Sequence, residues 1–281
     1  MLKPANASET AMLPQAPLPE TEPAVRWMSS KGVSVDLRGS GTPVLMMHGI
    51  GGNADSCAPL AELLTAHGYR TISWDAPGYG KSTDASIHED HVDVAAALLN
   101  ELETGPVHVF GTSWGGVIGT QLAARYPELV SSLVLASSTR GSCLTRESAD
   151  RMLKRISELG EVGSVAFAAR RFRRLVSPVT PITVAEAVRS GMAAVRLPGY
   201  SAAARMMART NNAVVLTALK VPSLVVVGRD DFVTGVEESR FVAKLIPGAA
   251  FEILEDAGHA ALQEQPGPMA EAMLGFWADR A

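Results

Sequence analysis

The sequence predicts a doubly wound, mostly parallel α/β sheet interrupted by a helical insertion, and three observations predict it. Short uninterrupted apolar runs alternate with longer amphipathic stretches through residues 43–136. The alternation stops over residues 140–216, which are rich in Ala, Arg and Met and hold almost no strand-like run. It resumes with two further apolar runs, each followed by a helix-compatible segment. Strand–helix alternation is the mark of a sheet covered on both faces. A chain of 281 residues can bury one substantial core, and its second half has too few strands for a sheet of its own. The expected organisation is therefore a core of residues 24–139 and 217–281, with a helical cap over residues 140–216.

Taken in order, residues 1–23 carry Pro4, Pro14, Pro17, Pro19 and Pro23 and hardly any β-branched residues. That composition favours an extended, disordered leader, and no apolar signal-peptide region follows Lys3. Arg26–Ser30 and Val33–Leu37 alternate in polarity around Lys31-Gly32, which predicts a hairpin. The runs Pro43–Met47, Tyr69–Trp74, Pro106–Phe110 and Val130–Ala136 suit strands buried on both faces. Asp55–His67, Glu89–Glu103 and Trp114–Tyr126 fit helices between them. Beyond the insertion, Pro222–Val227 and Ala250–Leu254 read as strands, with helices expected over 237–246 and 267–280.

Composition excludes several classes of function. The formal charge of −4 supplies no global pull toward nucleic acid or an anionic membrane. No stretch approaches the roughly 20 apolar residues needed to span a bilayer. Cys57 and Cys143 are too few for a disulfide framework and read as reduced thiols in a cytoplasm. The insertion is electrically distinct: residues 139–217 hold 13 Lys and Arg against 5 Asp and Glu. Those arginines either solvate exposed helix faces or meet a carboxylate-bearing substrate, and Arg170, Arg171, Arg173 and Arg174 are the candidates for the second role.

The chemistry centres on Gly111-Thr112-Ser113-Trp114-Gly115-Gly116, which follows one strand and opens a helix. In that setting G-x-S-x-G forms a nucleophile elbow, a turn so tight that its flanking positions must be small. A serine hydroxyl is scarcely ionised at neutral pH and needs a base. Of six histidines, His67, His88, His91 and His108 sit within helical or strand patterns, and His48 ends a strand at a glycine turn. His259 lies in a loop just after the strand-like Phe251–Leu254, at the same sheet edge as the elbow, and is the expected base. The rate should then fall on acidification as the imidazole takes up a proton. The base requires a carboxylate partner. Asp230 and Asp231 both follow the run Val225–Val227; an acid here gives the chain order Ser, Asp, His expected of this architecture, with Asp231 the expected partner and Asp230 the alternative. Backbone N–H groups of Ile50 and Trp114 are the expected oxyanion donors, and Ser137, Ser138 and Phe232 are candidate pocket residues near strand ends. No metal or organic cofactor is required by this set.

These pieces together resemble the α/β-hydrolase superfamily from about residue 26 onward. The likeness rests on His48-Gly49, Asp75-Ala76-Pro77-Gly78-Tyr79-Gly80-Lys81-Ser82, the Ser113 elbow, Gly228-x-x-Asp231 and Gly258-His259. The resemblance implies a structural turn at Asp75–Ser82 and a helical cap at residues 140–216 that shapes substrate choice. The stretch from Pro198-Gly199-Tyr200 to Asp231 is similar to enol-lactonases and small carboxylesterases. The expected activity is hydrolysis of a small carboxylic ester or lactone, with a small-molecule acyl substrate as partner and no nucleic acid or membrane. Carbon–carbon hydrolases of the meta-cleavage type share such a triad but usually place Trp after the catalytic His, where this chain has Ala260.

Other classes explain less. Gly49-Ile50-Gly51-Gly52-Asn53-Ala54 matches a dinucleotide-binding fingerprint, with Asp75 ending the next strand. That reading leaves Ser113, Asp231 and His259 without a purpose. A phosphate loop ending at Gly80-Lys81-Ser82 would need glycine at position 75, which is Asp. A non-catalytic ligand-binding protein on the same fold remains the non-enzyme alternative.

Overall fold

The computed structural model describes residues 23–86 and 88–280, so the expected leader, apart from Pro23, lies outside the described residues. Eight strands form one sheet: β1 (Val25–Met28), β2 (Ser34–Arg38), β3 (Thr42–Met47), β4 (Tyr69–Trp74), β5 (Val107–Thr112), β6 (Val130–Ala136), β7 (Ser223–Gly228) and β8 (Ala250–Leu254). Their spatial order is β1-β2-β4-β3-β5-β6-β7-β8. β1 and β2 form the antiparallel hairpin, β2 runs antiparallel to β4, and every other neighbour is parallel.

Burial explains the uninterrupted apolar runs. In β3, Leu45 and Met47 enter the core on one face, while Val44 and Met46 enter a second core on the other. Helices α2 (His91–Glu101), α3 (Trp114–Arg125) and α8 (Gly235–Leu245) contribute Leu98, Ile118 and Val242 to the first core. Helices α1 (Ala58–Ala66) and α10 (Pro266–Ala278) contribute Leu60, Leu64, Met269 and Met273 to the second. A strand covered on both sides has no solvent face, which removes the need for alternation.

Between β6 and β7 the chain forms α4 (Arg146–Arg171), α5 (Ile182–Ala193), α6 (Leu197–Arg209) and α7 (Ala213–Thr217). Gly163, at φ 75°, breaks α4 into two segments that fold over the sheet edge. A short helix, α9 (Ala261–Glu264), precedes α10. No helix among the described residues is long and apolar enough to cross a membrane.

His91, at the start of α2, makes stability depend on pH. Its ring is buried edge-on against Trp114, and neither ring nitrogen has a hydrogen-bond partner among the described residues. Burial holds its pKa down to about 4, against a smaller upward pull from Asp90. An unfolded histidine titrates near about 6.5, so on acidification the unfolded chain takes the proton first. Stability from this group is fully present above that value and is lost as pH falls toward 4. The loss is about 3 kcal/mol. Urea midpoints should therefore fall between pH 7 and pH 4, and His91→Leu should flatten the slope. An equally steep profile in the variant contradicts the assignment.

Candidate active site

Parallel strands deliver their C-terminal ends to one edge, and that edge collects the site. Ser113 follows β5, Asp231 follows β7 by three residues, His259 follows β8 by five, and Ile50 follows β3 by three. Ser113 adopts φ 52° and ψ −114°, a backbone conformation that costs a non-glycine residue about 1–3 kcal/mol. Tight packing holds it there. A Cβ on Gly111 would stand 2.5 Å from the Gly115 carbonyl oxygen, and one on Gly115 would stand 2.2 Å from that of Met47. The Ser113 N–H donates to the Ala136 carbonyl at 2.9 Å, and the Ser138 hydroxyl donates to the Ser113 carbonyl at 2.9 Å.

Three side chains meet in one line. Ser113 Oγ lies 3.0 Å from His259 Nε2, and His259 Nδ1 lies 3.0 Å from Asp231 Oδ2. Asp231 Oδ1 accepts the N–H groups of Val233 and Thr234 at 2.8 and 3.0 Å, and Oδ2 also accepts the Thr234 hydroxyl at 2.6 Å. Burial raises the Asp231 pKa, but the His259 charge and these hydrogen bonds outweigh it and hold the carboxyl well below the usual carboxylate range. With Asp231 ionised and accepting from Nδ1–H, the imidazole presents a lone pair at Nε2 to the serine hydroxyl. Such an arrangement can withdraw a proton from Ser113 and return it to a departing atom. Asp230 points elsewhere: its Oδ2 accepts the Ser177 hydroxyl at 2.6 Å.

The glycine loop after β3 lies against the serine. A Cβ on Gly49 would be 3.3 Å from Ser113 Cβ, and the Tyr79 hydroxyl donates to the Ile50 carbonyl at 3.0 Å. Trp114 is the first residue of α3, so its N–H has no acceptor one turn back. The Trp114 ring itself is fully buried behind the elbow among His48, Tyr79 and His91. His48 is a structural residue in its neutral form: Nε2 accepts the Ala76 N–H at 3.1 Å, leaving Nδ1–H for the Gly49 carbonyl at 2.8 Å. Burial lowers its pKa, consistent with that tautomer. Asp75 accepts the N–H groups of Ala54 and Lys81 and the Arg26 guanidinium, tying the glycine loop to the Asp75–Ser82 turn. The Cys57 thiol is buried and pushed up to about 12, which keeps it unionised.

Above the serine lies a cavity of about 380 Å³. Ile50, Trp114, Ser113 and His259 form its floor, and Met152, Val188, Met192, Tyr200 and Met207 of the inserted helices form its roof. Ser137, Ser138 and Phe232 do not line the cavity. Ser137 and Ser138 are buried just past the end of β6, where the Ser138 hydroxyl is taken up by the Ser113 carbonyl, and the lining begins only at Thr139. Phe232 is 66% exposed, because Asp231 turns inward to collect two backbone donors and the next side chain projects to solvent. Val233 lines the cavity in its place.

Sequence reasoning missed Thr234 and Glu264. Glu264 is buried on α9, where its Oε2 accepts the Gly258 N–H at 2.8 Å and its Oε1 accepts the Ser177 N–H at 2.6 Å and the Thr180 hydroxyl. It clamps the loop bearing His259 to the inserted segment. Burial raises its pKa, partly offset by those donors. Its one signal in the sequence is an acid two residues beyond the apolar Ala260-Ala261-Leu262. Glu264→Gln places an amide N–H against one of these donors and should cost about 1–3 kcal/mol of stability. Turnover should fall with it as the His259 loop loosens. An unchanged urea midpoint would refute the clamp.

Similarity to known proteins agrees with this architecture. A family model described as "alpha/beta hydrolase fold" matches residues 42–159. The chain is 26% identical over 245 residues to (E)-2-((N-methylformamido)methylene)succinate hydrolase of Acinetobacter baylyi, covering 85% of this chain and 91% of that protein. A thermophilic esterase from Thermogutta terrifontis superposes with a TM-score of 0.80 at 27% identity, over 91% of this chain and 98% of the esterase. The enol-lactonase of Burkholderia xenovorans shares the fold with a TM-score of 0.78 at 21% identity, over 88% and 97% of the two chains.

Proposed function

We propose that this chain, which belongs to the α/β-hydrolase superfamily, is a serine hydrolase of small carboxylic esters or lactones that works through an acyl-enzyme on Ser113. The observation that carries the reading is the line from Ser113 through His259 to Asp231, with 3.0 Å at each step, opening on a cavity. Ser113 Oγ attacks the substrate carbonyl as His259 Nε2 takes its proton. The Ile50 and Trp114 N–H groups hold the oxygen that becomes negative, at the positive end of α3. The leaving alkoxide takes the proton from His259 and departs as the alcohol. Water then attacks the acyl carbon, again giving its proton to His259, and the acid is released as Ser113 recovers its hydrogen. The free thiols Cys57 and Cys143 suit a reducing, cytoplasmic setting.

The test combines a fluorophosphonate probe with a panel of small esters and lactones. Wild type should be labelled and turn over at least one ester, while Ser113→Ala should do neither. Labelling with no turnover of any ester or lactone would favour the ligand-binding alternative. No labelling at all would reject the reading.

A further inference from the structure

The roof of the cavity carries a charge that the proposed chemistry does not use. Arg155 on α4, Arg171 at its end and Arg174 just beyond all line the cavity, as does the Tyr200 hydroxyl-bearing ring. Arg171 is neutralised: it pairs with Glu158 and stacks 4.4 Å from the Phe167 centroid. Glu238, the carboxylate of the lining, is itself bound by Arg140 through Nε at 2.9 Å and Nη2 at 2.7 Å. Among the described residues no carboxylate lies within ion-pair distance of Arg155 or Arg174. Three further acids of the insertion pair with arginines away from the cavity lining, Glu147 with Arg151, Asp150 with Arg146 and Glu186 with Arg189. The unpaired fixed charge lining the cavity is thus positive, inside a concavity where water screens it less than at an open surface.

Resting on the serine-hydrolase reading, we infer that Arg155, with Arg174 beside it, selects esters or lactones that carry a carboxylate at the end remote from the scissile carbonyl. A planar guanidinium presents paired N–H donors that match a carboxylate fork. Arg155 is half-buried on a helix and shares the cavity lining with Tyr200, whereas Arg174 is exposed and adds charge from the rim. The sequence pointed to the run from Arg170 to Arg174, but Arg170 pairs with Glu158 and Arg173 is exposed beside Phe172. Arg155, sixteen residues before Arg171 in the chain, reaches the cavity only because Gly163 breaks α4 and folds the two segments onto one roof.

The experiment measures kcat/KM on matched pairs in which a terminal carboxylate replaces a methyl group. The monoethyl esters of succinate, glutarate and adipate are set against ethyl butanoate, pentanoate and hexanoate. At one chain length wild type should favour the carboxylate ester by tenfold or more, and the preference should shrink as salt rises. Arg155→Gln should reduce the carboxylate-to-methyl ratio at least tenfold and Arg174→Gln should reduce it less, while Arg173→Gln should leave the ratio unchanged. A methyl preference at every length, or a ratio that Arg155→Gln does not move, would overturn the inference and leave the serine mechanism standing. Wild type inactive on both series and unlabelled by fluorophosphonate would instead reject the mechanism on which it rests.

Discussion

Replacing Ser113 by alanine is expected to lower turnover by about 10⁴–10⁶-fold, with substrate binding largely kept. Among the described residues this hydroxyl is the one bonded to His259 Nε2, the Thr234 hydroxyl lies on the Nδ1 side and donates to Asp231, and the alternative thiol, Cys57, is buried and held unionised with its pKa near 12. Alanine fits the strained backbone at φ 52° no worse than serine, and the packing of Gly111 and Gly115 that imposes the turn is untouched. The N–H groups of Ile50 and Trp114 also remain, so a small residual rate over water should persist from polarisation of the carbonyl. Steady-state kinetics on the best ester of the panel, with calorimetric binding of that ester to the variant, checks both halves. Turnover within tenfold of wild type would mean that another group attacks.

Asp231→Asn should cost about 10⁴-fold in turnover while changing stability and KM far less. The reason is a matter of which amide atom goes where. Oδ1 of Asp231 faces two backbone N–H donors, from Val233 and Thr234, and only a carbonyl oxygen suits that place. An asparagine must therefore direct its NH₂ to the position of Oδ2, toward His259 Nδ1. The imidazole then carries its hydrogen on Nε2, where it faces Ser113 as a donor instead of a base. Geometry is kept and chemistry is lost. Rates of fluorophosphonate labelling should drop in parallel with turnover, because both need the same proton transfer. Equal labelling rates in variant and wild type would show that His259 does not depend on Asp231 for its tautomer.

Much of the framework was legible before any coordinates. The apolar runs at 43–47, 69–74, 130–136, 222–227 and 250–254 all form strands of one sheet, because strands covered on both faces advertise themselves as continuous hydrophobic segments. The elbow was legible for a similar reason: Gly111 and Gly115 are demanded by backbone atoms only 2.2–2.5 Å from where a side chain would begin. Pocket residues were less accessible to sequence. Ser137 and Ser138 sit just past a strand end and so qualified by position, yet both are buried, Ser138 bonded to the Ser113 carbonyl, and the cavity lining begins one residue later. The exposed Phe232 illustrates the same weakness, since the direction of a loop side chain depends on where its neighbour's hydrogen bonds point.

Local order along the chain thus determined the strands, the helices between them, the serine on its turn, and the histidine and acids left at strand ends. Those features arise from short-range covalent and steric rules that every stretch obeys by itself. Tertiary structure alone decided that Asp231 and not Asp230 faces His259, that Glu264 clamps the histidine loop, and that Arg155 joins Arg171 over the serine. Each of those outcomes depends on the angle at which two distant segments meet, and hydrogen-bond and charge partners are chosen within an ångström of that angle. Residue types carry no record of it.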